Sequence, residues 1–138
     1  REYAGTAEGD ISSRFRRESL IYDAAENAIE RFLSDITPRR VREGIAIDKD
    51  ADDMEPIKDL VSDGQYAIAM TILKQMRTEF PQRADIVYNI AVLTDARGDY
   101  ESALSLYDAA LRLGHKDYYV KSRTACERRL RESKALEN

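Results

Sequence analysis

Asp63-Gly64-Gln65-Tyr66 is answered further along the chain by Arg97-Gly98-Asp99-Tyr100, the same turn with its Gly and Tyr kept. The two stretches lie 34 residues apart, and that offset also pairs Ala69 with Ala103 and Leu73 with Tyr107. A period of this length marks an array of supersecondary units, each burying its apolar face on the next. Apolar residues around the two turns recur at helical spacing and predict helices near 54–62, 65–79, 84–97, 100–113 and 117–134. Gly64, Pro81, Gly98 and Gly114 fall at the joints, where a helix must end and φ turns positive or is fixed.

A 34-residue period built from two helices resembles the tetratricopeptide repeat. The second copy carries the likeness most fully. It runs from Val87-Tyr88-Asn89-Ile90-Ala91 through Gly98-Asp99-Tyr100-Glu101-Ser102-Ala103 to Tyr107-Asp108-Ala109-Ala110-Leu111. Ala91, Ala103 and Ala110 then stand where antiparallel helices cross closely, with Ile90 and Tyr107 filling the space between them. In the first copy Ala69, Leu73 and Pro81 match, while Pro56 and Met76 depart from the pattern. Val87, Thr94 and His115 stand where the family prefers Trp, Tyr and Pro. The third copy is a single helix with Ala125 in the register of Ala91, so the likeness covers about two and a half repeats over residues 52–134.

The resemblance implies a mainly α protein, a solenoid of antiparallel helix pairs. In this family the first helix of each pair lines a concave surface that holds an extended peptide or a partner helix. By register, Tyr88, Asn89, Val92 and Asp95 come to that surface from the clear repeat, and Tyr119, Ser122, Arg123 and Cys126 from the last helix. Asn89 matches an Asn that family members use to bond a peptide main chain or terminal carboxylate, and Arg123 a basic carboxylate-holding position. The flanking Lys residues of the family's chaperone-tail clamp are missing, with Tyr88 and Tyr119 in or near their places. What the resemblance implies is a non-catalytic interaction or scaffold module, serving protein partners or its own assembly.

The first 50 residues read differently, as an appendage to a repeat domain at 51–138. Ile11, Phe15, Tyr22, Ala25, Ile29, Phe32 and Ile36 form one helical stripe, predicting a long helix over 12–36 that Thr37-Pro38 stops. Beyond it Val41, Glu43, Ile45 and Ile47 alternate with Arg40, Arg42, Gly44 and Ala46, a period of two that predicts a short strand near 40–47. A lone strand needs a ladder partner, either residues 1–9 or a second subunit, and the latter implies a homo-oligomer. Residues 10–48 also resemble the tail of sheet-containing bacterial envelope lipoproteins, which implies an upstream α/β domain and the cell envelope or periplasm.

Composition removes other classes. One His, one Cys and no Trp exclude disulfide frameworks and Cys/His zinc sites. Residues 48–63 hold seven acidic and two basic side chains, and no basic face offers phosphate contacts, so nucleic acid is not an expected partner. No apolar run reaches membrane-spanning length. Asp48-Lys49-Asp50-Ala51-Asp52-Asp53, with Asp59 beyond, echoes a calcium loop and suggests a calcium-responsive module as an alternative. Asp53 stands in its Gly place and Glu55 in its apolar place, so the segment reads as an exposed linker. Cys126, with Arg123 and Arg129 three residues to either side, reads as packing rather than as a reactive thiol, and His115 as turn filler. A hydrolase working through Asp85 and Asp95 has no nucleophile–base pair to use, and no cofactor is expected.

Overall fold

The computed structural model describes Ile36, Arg40 and residues 44–137, all within the compact unit Phe32–Asn138. Residues 1–9 and the helix expected over 12–36 lie outside the described residues, except that Ile36 sits buried in a bend. Five helices follow: α1 (Glu55–Ser62), α2 (Tyr66–Glu79), α3 (Ala84–Arg97), α4 (Tyr100–Leu113) and α5 (Asp117–Glu137). A single 3₁₀ turn, Asp52–Met54, leads into α1. Each helix packs on the next, and α3 also touches α5, so the first helices of successive pairs are neighbours.

The repeated turn is built the same way twice. Gly64 and Gly98 have φ of 79° and 98°, a region that costs an L side chain about 1–2 kcal/mol and glycine nothing. Behind the first, Gly64 N–H donates to Val61 O and Gln65 N–H to Leu60 O; behind the second, Gly98 N–H donates to Asp95 O and Asp99 N–H to Thr94 O. These paired bonds satisfy the last carbonyls of α1 and α3 and reverse the chain. The Asp99 carboxylate then accepts from Ser102 N–H to start α4. Gly114 departs from expectation. Its backbone is extended, and its small size serves a close approach instead, since a Cβ there would meet Ala84 Cβ at 3.1 Å.

Pro56 sits in the first turn of α1, where a missing N–H breaks no helical bond. Met54, Ile57 and Val61 are the buried apolar residues of this turn and helix. Ala69, Ala91, Ala103 and Ala110 are wholly buried, and Leu73 and Tyr107, paired by the 34-residue offset, are buried alike. Helix α3 is the hub: every residue from Ile86 to Ala96 is buried. Eleven consecutive buried positions leave a helix no open face. Its neighbours α2 and α4 cover two sides and α5 a third. The last side is covered by residues 44–48.

Those residues correct the reading of a strand near 40–47. Among the described residues there is no strand: Arg40 is helical, and 44–50 run without regular structure. Gly44, at φ 90°, donates to Arg40 O over a helical span and breaks the extended run that a ladder needs. The alternation itself is real. Gly44 and Ala46 are exposed, Ile45 and Ile47 half-buried, but the isoleucines pack on the helical core of Val87, Tyr88, Val92 and Tyr107. Strand pairing between subunits therefore has no strand to build on at 44–47.

Candidate functional site

The residues expected to line a concave surface stand on α3 and α5, and the chain's own segment 44–50 is bonded to and packed on several of them. Asn89 is the centre of the arrangement. Its Oδ1 accepts from Asp48 N–H at 2.7 Å and its Nδ2 donates to Asp48 O at 2.9 Å, a two-point grip on the backbone of one residue. Nδ2 also reaches Met54 Sδ at 3.3 Å. Asn89 is fully buried, so both backbone groups of Asp48 are satisfied out of water by one side chain.

The Asp48 side chain is held as closely as its backbone. Tyr119 OH donates to Oδ2 at 2.5 Å, Lys116 Nζ donates to the same oxygen at 2.7 Å, and Oδ1 accepts from Asp50 N–H at 3.2 Å. Burial pushes this carboxyl up, but the bonds from Lys116, Tyr119 and the Asp50 amide outweigh it and hold Asp48 below its usual range. Lys116 also bonds Asp50 at 3.1 Å, and its ammonium is held above its ordinary value chiefly by the Asp48 bond.

Aromatic rings form the floor. Tyr88 stacks on Tyr119 with centroids 4.0 Å apart and planes 9° apart, and Tyr118 meets both edge-on. Tyr88 OH is 2.7 Å from Ser122 Oγ, tying α3 to α5. At the other end of α3, Asp95 is wholly buried. It accepts from Tyr107 OH at 2.9 Å and from Arg129 at 3.1 and 2.6 Å, with Arg40 at 3.8 Å. Two clefts remain open along the segment. One, of about 340 Å3, is lined by Ile47, Tyr88, Tyr118, Lys121, Ser122 and Arg129 among others; a second, of about 450 Å3, by Asp48, Asp50, Arg83, His115 and Lys116.

Of the eight residues carried to the groove by register, Tyr88, Asn89, Val92, Asp95, Tyr119 and Cys126 are buried and only Ser122 and Arg123 half-exposed. Asn89 and Tyr119 converge on Asp48. Arg123 does not join them: it pairs with Asp108 of α4 at 2.5 Å and Glu127 at 3.7 Å. Lys116, which sequence reasoning passed over, supplies the cation instead. Its signal was its place just ahead of α5, within reach of whatever lies over Tyr119. Cys126 is wholly buried, its Sγ 3.6 Å from Tyr100 O. Burial, then the nearby Asp95 charge, pushes its thiol up to about 12, which leaves it protonated and closed to solvent at neutral pH.

The acidic run also reads differently in place. Asp48 is buried on Tyr119 and Lys116, Asp50 pairs with Lys116, and Asp53 pairs with Arg83 at 2.6 Å. Asp48 is therefore no part of an exposed linker; it is the most deeply engaged residue of the segment. Asp85 is likewise taken, bonded by Arg83 at 2.8 Å and by its neighbour's amide at Ile86.

Paired helices, 14 residues long in α2 to α4, small residues at their crossings and two glycine turns 34 residues apart define a helix-pair repeat protein. The tetratricopeptide-repeat family model matches residues 60–125, so over that region the chain is similar to the tetratricopeptide repeat. Such repeats serve in general as protein–protein interaction modules and are generally non-catalytic. None of the curated proteins and none of the solved structures matches the chain. No described helix is long and apolar enough to cross a membrane.

Proposed function

We propose that this protein is a non-catalytic interaction module that holds an extended segment of a protein partner along the concave face formed by α3 and α5. One observation carries the reading: Asn89 bonds both the N–H and the C=O of Asp48, so the face already holds a non-helical segment by its backbone. Backbone bonds of this kind give grip without regard to side chains, and the pockets beside them give selectivity. The open cleft beside Tyr118, Lys121 and Ser122 extends the same surface with aromatic, cationic and hydroxyl groups. A mixed apolar and polar peptide suits that lining.

The test uses the rim rather than the buried floor. Lys121 is exposed and Tyr118 partly so, its ring meeting Tyr88 and Tyr119 only edge-on, so Tyr118→Ala/Lys121→Glu should lower the melting temperature by no more than about a few degrees. The same change should reduce retention of a partner from native extract by immobilised full-length protein at least tenfold. Undiminished retention by the double variant places the partner on another surface.

A further inference from the structure

Residues 44–50 differ from the rest of the fold in how they are held. They have no regular structure, and Gly44, Ala46, Lys49 and Asp50 are exposed. Their backbone is tied to the helices through Asp48, by the two bonds to Asn89. Three features of the segment are nevertheless read by fitted groups. Ile45 and Ile47 pack on the core formed by α3, α4 and α5; the Asp48 backbone meets Asn89; and the Asp48 carboxylate meets Tyr119 and Lys116. The pattern read is aliphatic, any residue, aliphatic, acid, in a backbone without helix or strand.

We infer that the groove is selective for that pattern, that Ile45-Ala46-Ile47-Asp48 is the chain's own copy of it, and that a partner segment carrying the same pattern binds by displacing this copy. The inference rests on the groove reading proposed above and names the chemistry of its partner. Charge complementarity fixes the acid: a Lys or Gln side chain in place of Asp48 would leave the Lys116 ammonium beside a cation or without its strongest partner. Mass action fixes the cost. A tethered copy acts at an effective concentration of roughly millimolar, so the intact chain binds a free peptide weaker by the fraction of time its own segment is out. Segments without regular structure and with exposed positions are those that open locally.

The probe is a fluorescein-labelled peptide of residues 44–50, Gly-Ile-Ala-Ile-Asp-Lys-Asp, titrated into the full chain and followed by anisotropy. In the variant Ile45→Ser/Ile47→Ser/Asp48→Ser the tethered copy no longer fits. That variant should bind the peptide at least tenfold more tightly than the intact chain, adding Asn89→Ala should abolish binding, and a peptide with Asp48 replaced by Lys should not bind. A second measurement guards against a variant that does not fold. In the unmodified chain, millimolar peptide should speed hydrogen exchange at the Asp48 amide several-fold while the amides of α2 stay unchanged. No peptide binding to a folded variant, or no acceleration in the unmodified chain, overturns the inference. Equal binding of the Asp and Lys peptides overturns the acid selectivity but leaves a groove that holds extended backbone, so the broader reading would survive it. A folded variant that takes no extended peptide of any sequence removes both.

Discussion

At the residue scale the account turns on Asn89 and Asp48. Asn89→Ala removes both partners of the Asp48 backbone and leaves a buried N–H and C=O unsatisfied. The expected loss is on the order of 1–3 kcal/mol in urea unfolding, the usual cost of a buried polar group without a partner. A surface Asn changed to Ala would cost a few tenths, so the size of the loss separates the two cases. The Asp48 carboxyl makes a further prediction about pH. Its folded value lies below the ordinary 3.8, so its ionised form stabilises the fold above that value and the contribution fades as pH falls through it. Asp48→Asn should therefore be less stable than the parent between pH 5 and 8, and the gap should narrow only as pH falls below 3.8 towards the lower folded value. A gap that is unchanged at acid pH would mean that the charge on Asp48 plays no part. Tyr88 is buried as well, so its replacement by Ala should also lower stability.

At the element scale the repeat predicts which positions tolerate bulk. Ala103 is wholly buried at the crossing of α3 and α4, so Ala103→Leu should overpack it and cost about 1–3 kcal/mol, read as a lower melting temperature. An unchanged melting temperature would place Ala103 away from that crossing. The helices themselves were legible because Gly64 and Gly98 punctuate a 34-residue period and because the alanines at crossings share one register. Residues 44–47 were legible only in part. Alternation reports that one side of an extended segment is covered, and it is silent on what covers it. Here side chains of a helical groove do so in place of a neighbouring strand. The site divides in the same way. Register singled out Asn89 and Tyr119, which meet at Asp48, but no pattern within the repeats could say that a segment 41 residues upstream of Asn89 would bond them. Lys116 was hidden for the same reason, since its role exists only once Asp48 is in place.

At the scale of the whole described unit, the acidic run and the groove are one structure. Asp48, Asp50 and Asp53 spend their charges on Lys116, Tyr119 and Arg83. Millimolar calcium should accordingly leave the melting temperature where it is; a calcium-dependent rise lost in Asp48→Asn/Asp50→Asn would restore a metal-binding role to the run. The same ion pairs explain how α3 can be buried all round in an array of about two and a half repeats. Segment 44–50 covers the side that α2, α4 and α5 leave open, and the long, charged α5 presents water with the array's other face. The most direct test is nuclear magnetic resonance on the full chain in solution. Cross-peaks should join the Asp48 amide proton to the side-chain amide protons of Asn89, and the Ile47 methyls should feel the aromatic rings of the groove. Random-coil shifts for Ile47 and Asp48, with no cross-peak to Asn89, would contradict the occupied groove.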